Sequence, residues 1–328
     1  MRHTPHRICI LGGTGFVGRH LSARLGREGH RLVIPTRHPH RHRDLKVVPE
    51  VTLVEANIHE PGQLHRVVRG CDVVINLVGI LNEGRDNTFW KVHVELVQKV
   101  IRACRDEGVP RLLHMAALNA DARHGASQYL QSKGEGKRLV LEADDEALHT
   151  TCFEPSVIFG PDDSFFNRFA LILRLSPLFL PLAAGRARMA PIYVGDVVEA
   201  MARSLDDPAT WGESLPLCGP HVYTLRKLVR LTARWAGIRK PVVSLGPALS
   251  TIQAWFLEKV PGRPLTRDNL ASLWQDSVCT RNALESLGIT PTPVEAVMPE
   301  WLGHHVGHQK LDLYRRYARR PAELTRQG

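Results

Sequence analysis

Short apolar runs and amphipathic stretches alternate along the first half of this chain, and their spacing predicts a repeating strand and helix rhythm. Ile8, Cys9, Ile10 and Leu11 form a continuous apolar run, which suits a strand buried on both faces. Phe16, Val17, Leu21 and Leu25 then fall on a helical stripe. Further strands are predicted at Arg31 to Pro35, Val51 to Val54, Asp72 to Leu77, Arg111 to Met115 and Thr150 to Phe153. Between them lie helices at Pro61 to Val68 and Gln128 to Glu142, and a longer one whose Trp90, Val94, Val97, Ile101 and Cys104 share one face. This alternation points to an α/β fold, a Rossmann-type doubly wound parallel sheet with a smaller C-terminal substrate-side lobe. The expected division gives residues 1–160 to the Rossmann domain, with 190–218 returning to it, 161–189 and 219–303 to the lobe, and 304–328 to a basic tail.

The join between the first strand and first helix carries the first chemistry. In RICILGGTGFVG, Gly12, Thr14, Gly15, Phe16, Val17 and Gly18 would form a pyrophosphate site of a nicotinamide dinucleotide. One glycine makes the turn, one admits backbone amides to the phosphates, and one lets the helix pack on the strand, so that the anion meets a helix N-terminus. After the second strand stand Thr36 and Arg37 with no acid, followed by His38, His40, Arg41, His42 and Arg43. A ribose 2′-hydroxyl calls for a carboxylate and a 2′-phosphate for a basic side chain, so NADP(H) is favoured over NAD(H). The loop histidines have no neighbouring acid or cysteine, and no metal site is expected. Tyr129 and Lys133, within YLQSK, fall one turn apart on a predicted helix. A neighbouring ammonium favours the phenolate of a tyrosine and brings proton transfer within range, and the same lysine could hold the nicotinamide ribose.

Composition narrows the classes. The chain has 328 residues, six cysteines and a formal net charge of +10. Much of the basic excess lies before Lys46 and after Gln309, with few interleaved aromatics, which speaks against nucleic acid as a partner. Single cysteines without CxxC spacing predict reduced thiols in a cytosolic setting. No signal peptide precedes the first strand, and Arg174, Pro177 and Pro181 interrupt the longest apolar tract, Phe169 to Gly185. A cytoplasmic, non-secreted protein is expected, with peripheral attachment to the inner face of the membrane as a further option. Within Pro247 to Val260, the stripe of Ile252, Trp255, Phe256 and Val260 reads first as core packing and second as an interfacial helix. His304 and His308 read as surface residues. The oligomeric state is left open.

GGTGFVG, NLVG at Asn76 to Gly79, YLQSK, PSVIFGPDDSFFNRF from Pro155, YVGDV from Tyr193 and CGPHVYTLRKLV from Cys218 together span most of the chain. They resemble the extended or atypical short-chain dehydrogenase/reductase superfamily, the NAD-dependent epimerase/dehydratase-like proteins. HMAALNA, FFNRF, LTRDN at Leu265 to Asn269 and LGITPT at Leu287 to Thr292 are more closely similar to one subfamily. That subfamily contains the NADPH-binding accessory subunit of respiratory complex I and its bacterial relatives, some linked to coenzyme Q synthesis. The resemblance implies that the glycine loop and Arg37 hold the pyrophosphate and 2′-phosphate, and that Asn57 and Ile58 lie at the adenine. Leu77, Val78 and Gly79 would border the adenosine side, and Pro155 to Val157 would flank the nicotinamide.

The chain departs from the superfamily at Ala116, where a serine or threonine hydroxyl normally orients the substrate carbonyl. Substrate polarisation must then come from Asn119, Ser127 or water, or be absent. Asn57 stands where aspartate is usual, and Glu154 where relatives often carry arginine. Two functions stay open. One is an NADP(H)-binding protein, accessory to a membrane-associated respiratory complex I or to ubiquinone biosynthesis, which Ala116 favours. The other is an NADPH-dependent oxidoreductase or epimerase using Tyr129 and Lys133 on a carbonyl, sugar-nucleotide or quinone-type substrate.

Overall fold

Seven parallel strands build the central layer of the structure, a computed structural model that describes residues 4–84, 86–260 and 263–303. The strands are β1 (Arg7–Leu11), β2 (Arg31–Thr36), β3 (Val51–Glu55), β4 (Val73–Asn76), β5 (Arg111–Met115), β6 (His149–Pro155) and a last strand, Glu213–Leu217. Their order across the sheet is last strand, β6, β5, β4, β1, β2, β3. Winding therefore reverses between β1 and β4, where Ile10 stands beside Ile75 and Leu11 beside Asn76. In open parallel sheets such a reversal leaves a crevice beyond the C-terminal strand ends.

Four helices alternate with these strands: α1 (Phe16–Arg27), α2 (Pro61–Val68), α3 (Leu96–Asp106) and α4 (Gln128–Glu142). Beyond β6 follow α5 (Phe165–Leu175), α6 (Val194–Arg203), α7 (Leu225–Trp235), α8 (Pro247–Leu257) and α9 (Arg267–Trp274). Leu21, Leu25, Val197 and Met201 pack on Ile8, Ile10 and Ile75 from one side of the sheet. Leu64, Val97, Val100 and Val140 pack on Cys9 and Leu11 from the other. Both faces of each central strand are thus covered, which is why their sequences run apolar without alternation. Each large side chain so buried stabilises the fold by about 1.5–3 kcal/mol. A third cluster, with Phe159, Phe166, Leu173, Leu180 and Leu228, forms the core beyond β6.

Two sequence expectations need correction. The helix expected around Trp90 to Cys104 opens with a π-helical turn, Lys91–Glu95, before α3. The wider turn breaks the 3.6-residue register, so Trp90 is 55% exposed while His93 is buried, at 1%. The thiols are not all reduced either. Cys218 and Cys279 form a disulfide, and Cys9, Cys71, Cys104 and Cys152 are free and buried. Sequence spacing could not show the pair, because 61 positions separate the two cysteines. Cys218 directly follows the last sheet strand, and Cys279 follows α9, so the bridge ties the segment after α9 to the end of the sheet. Asn282 reinforces it by donating its side-chain amide to the Cys218 carbonyl at 2.8 Å. His304, His308 and the basic tail lie outside the described residues.

Closing a loop of this length is worth up to about 4 kcal/mol through the unfolded chain. The double variant Cys218→Ser/Cys279→Ser should therefore melt well below the wild type under oxidising conditions, and reductant should lower the wild-type melting temperature toward the variant's. Identical melting of the two proteins without reductant would show that the bridge contributes nothing.

Candidate functional site

The crevice at the winding reversal is built around the turn after β1. Gly12 takes φ 79°, a left-handed conformation that glycine adopts freely, and a Cβ there would press on the Leu77 carbonyl carbon at 3.1 Å. A Cβ on Gly18 would sit 2.5 Å from Gly13 Cα, so α1 can approach the turn only without a side chain. Gly15, by contrast, is exposed, with a single neighbour for an added Cβ, the Gly12 carbonyl oxygen at 3.2 Å. Phe16, Val17 and Gly18 form the first turn of α1, whose amides have no acceptor within the helix. No side chain caps that end and no acid lies in its first turn. The geometry suits an anionic pyrophosphate.

The other dinucleotide residues singled out in the sequence, Lys133 aside, lie on α1 and on the turns after the neighbouring strands. Thr14 is half-buried, and its carbonyl accepts Arg19 Nε at 3.0 Å. Arg19 also meets His42 and pairs with Asp44, pinning the basic segment after β2 onto α1, a role the sequence reading missed. Arg37 is exposed at the end of β2. It contributes, with Lys91 and Lys99, to the positive field that, after burial, holds the His59 imidazole below its ordinary pKa. Asn57 closes the turn after β3, its side-chain oxygen accepting His59 N–H at 3.2 Å, with Ile58 half-buried beside it. After β4, Leu77 donates to the Leu11 carbonyl at 2.9 Å and Val78 to the Asn76 side chain at 3.1 Å. Gly79 comes next, and a Cβ there would lie 3.1 Å from Lys133 Nζ. Pro155 accepts Leu118 N–H at 3.0 Å, and Val157 accepts Ile192 N–H at 2.9 Å.

Tyr129 and Lys133 stand on α4 as the spacing predicts. The Tyr129 ring packs edge-on against Phe89 and against His93, with centroids 5.9 and 5.6 Å apart. Lys133 is buried and donates to the Met115 carbonyl at 2.8 Å. Burial pushes the Tyr129 phenol up to about 12 and the Lys133 ammonium down to about 8. Desolvation is the leading cause of both shifts. Burial also takes His93 down to about 2, so its imidazole is neutral; it accepts Ile80 N–H at 3.1 Å and contacts Ser132 Oγ at 2.9 Å.

Ala116 is buried, and the two side chains singled out as stand-ins for a hydroxyl there, Asn119 and Ser127, each hold a partner. Asn119 donates to the Asp276 carbonyl at 2.8 Å. Ser127 Oγ accepts Leu130 N–H as the N-cap of α4 and meets Ser272 Oγ at 2.7 Å. Asp268 completes this clamp, accepting the amides of Gln128 and Tyr129 at 2.7 and 3.3 Å. Its contact with α4 had no signature beyond the LTRDN segment, in which Thr266 and Asn269 form the capping box of α9. Glu154 is buried between Lys137, at 3.1 Å, and Ser214.

The NAD dependent epimerase/dehydratase family matches residues 8–215. The chain is 29% identical over 306 residues to NADH dehydrogenase (ubiquinone) 1 alpha subcomplex subunit 9, mitochondrial, of Mus musculus, covering 90% of this chain and 79% of that protein. It is 29% identical over 257 residues to the ceramide reductase of Caulobacter vibrioides, covering 76% of this chain and 78% of that one. Among solved structures, a double mutant of DesIV, a dTDP-glucose 4,6-dehydratase from Streptomyces venezuelae, with NAD and DAU bound, matches with a TM-score of 0.72. At 17% identity, covering 93% of this chain and 98% of that chain, that likeness speaks for the fold alone.

Because Asp268 supplies acceptors to two amides at the start of α4, Asp268→Ala should destabilise the protein by about 1–2 kcal/mol, as loss of a helix cap does. Asp268→Asn, which keeps one acceptor oxygen, should cost less. Chemical denaturation measures both, and an Ala variant as stable as the wild type would remove the clamp from the account.

Proposed function

The chain belongs to the NAD dependent epimerase/dehydratase family, and from that premise we propose that it binds NADP(H) and serves an accessory or assembly role for respiratory complex I or ubiquinone biosynthesis. The engaged state of Asn119 and Ser127 beside Ala116 carries the reading. With Asn119 and Ser127 each already holding a partner, a carbonyl substrate would meet no hydroxyl at Ala116 and would depend on the second N–H of Asn119 or on water. The relation to a complex I subunit in the mouse supports the same role. With this role goes a cytoplasmic protein, free or peripheral on the inner face of the membrane.

The dinucleotide fits the residues present. The free amides of Phe16, Val17 and Gly18 would take the pyrophosphate, Arg37 the 2′-phosphate, and Lys133 the nicotinamide ribose. Asn57 and Ile58 would border the adenine, Leu77 to Gly79 the adenosine side, and Pro155 to Val157 the nicotinamide. When bound, NADPH supplies a hydride. A second reading, reduction of a carbonyl compound, is favoured by the retained Tyr129 and Lys133 and by the relation to a ceramide reductase. In it the Tyr129 hydroxyl donates the proton and the Lys133 ammonium stabilises the phenolate left behind.

For cofactor choice, Arg37→Ala should weaken NADPH binding by about 1.5–3 kcal/mol, the worth of charge-assisted hydrogen bonds, and leave NADH nearly unchanged. Titration calorimetry reads this directly, and equal wild-type affinity for the two nucleotides would overturn the preference for NADP(H).

For function, two variants belong in one complementation assay. Gly15→Val should fold, since its Cβ meets little, yet lose dinucleotide binding and with it the stability that ligand confers. Tyr129→Phe should complement as well as wild type if the role is accessory. An enzyme using that proton donor would lose on the order of 10²–10⁴ in turnover. Failure of Tyr129→Phe at normal protein level and normal NADPH affinity would establish the second reading instead.

A further inference from the structure

Helix α8 is turned inside out relative to an ordinary surface helix. Its buried positions are the small Ser250 and Ala254, while Leu249, Ile252, Trp255 and Phe256 face outward, Ile252 and Phe256 each at 62% exposure. The core reading of its apolar stripe is therefore wrong. The helix lies along the short strand Leu180–Leu182, where Gln253 Nε2 donates to the Pro181 carbonyl at 2.9 Å. That strand pairs with Val242–Ser244, which leads into α8. Just before it, Leu175 and Leu178 are 75% and 77% exposed and Phe179 is exposed beside them. Lys240 fastens this corner by donating to the Arg174 and Ser176 carbonyls. One surface thus gathers large apolar side chains from the end of α5, the turn after it and α8.

Charge says what covers that surface. Residues 164–189 and 225–263, which include it, carry twelve lysines and arginines against one acid, Glu258. Glu258 is already paired with Arg267 at 3.0 Å. Arg174 and Arg239 are exposed, and Lys259 lies 3.6 Å over the Trp255 ring. A second copy of this chain seated face to face would set these cations against their own kind, and the basic tail has the same sign. An anionic bilayer offers both complements, phosphates for the rim and acyl chains for the apolar centre. Tryptophan beside lysine suits the boundary between them.

We propose that the outward face of α8, together with the end of α5 and Leu178–Phe179, is a peripheral membrane-binding surface for anionic phospholipid. It holds the protein at the bilayer by its surface; among the described residues no helix is long and apolar enough to cross. The surface stands on its own exposure and charge, whatever occupies the crevice.

Sedimentation of the full chain with vesicles tests it. Vesicles of phosphatidylcholine containing phosphatidylglycerol should carry the protein down, vesicles of phosphatidylcholine alone should carry at least tenfold less, and high salt should release it. Trp255→Ser/Phe256→Ser, both exposed, should keep the wild-type melting temperature and lose binding at least tenfold. Arg239→Gln/Lys240→Gln should weaken binding to anionic vesicles; because Lys240 also fastens the corner, its melting temperature is checked alongside. Failure of the wild type to sediment with anionic vesicles, or equal binding by the Trp255/Phe256 variant, would overturn the proposal. So would a wild-type dimer in solution that the Trp255/Phe256 variant dissolves, since the face would then belong to a second copy.

Discussion

Everything at the crevice depends on how closely α1 can approach the turn after β1. Gly18 lies so near Gly13 that no side chain fits between them, and Gly12 holds a left-handed turn against the chain leaving β4. That contact fixes the start of α1 over the C-terminal ends of β1 and β4, the place where the winding of the sheet reverses. Helix N-terminal amides and a topological crevice are each common. Their coincidence, set by glycines that permit an approach of a few ångströms, makes an anion site.

The opposite wall is held by a different kind of contact. Helix α4 carries Tyr129 and Lys133, and its N-terminus is gripped by groups from and beyond α9: Asp268, Ser272 and, through Asn119, the Asp276 carbonyl. The Asn119 and Ser127 side chains thus join the segment from α9 onward to the loop before α4 and to α4 itself. Such bonds stabilise and position, whereas catalysis needs a donor left unsatisfied until a transition state forms. Burial holds the phenol protonated and weakens the ammonium's hold on its proton, which suits a tyrosine acting as proton donor and not one acting as base.

Six of the seven sheet strands and α4 were legible because period and length agree: short apolar runs cannot be surface helices, and the helices between them repeat every three to four positions, whereas Glu213–Leu217, with Glu213, Ser214 and Pro216 in it, carries no such run. The positions of Gly12 and Gly18 were equally plain, since few other sequences place glycine where backbone must pass backbone. The π-helical turn was hidden, because an inserted residue shifts the face without changing composition; only the exposure of Trp90 and the burial of His93 reveal it. Asp268 and the Cys218–Cys279 bridge depend on segments far apart in sequence, and no local pattern encodes such meetings.

Helix α8 shows a deeper limit of periodicity. An apolar stripe records that one face avoids water in the working state of the protein, but not whether protein or lipid displaces that water. Two further features separate the cases. Residue size on the opposite face is one, since Ser250 and Ala254 let the helix lie close on its own domain while larger side chains are left outward. Charge around the stripe is the other, because a core excludes cations whereas a bilayer surface collects them. Both lie in the sequence. The first acquires meaning only when the fold shows which side of the helix is inside, and the second only when it shows that chain segments far apart in sequence, Leu175 to Phe179 and Leu249 to Phe256, share one surface.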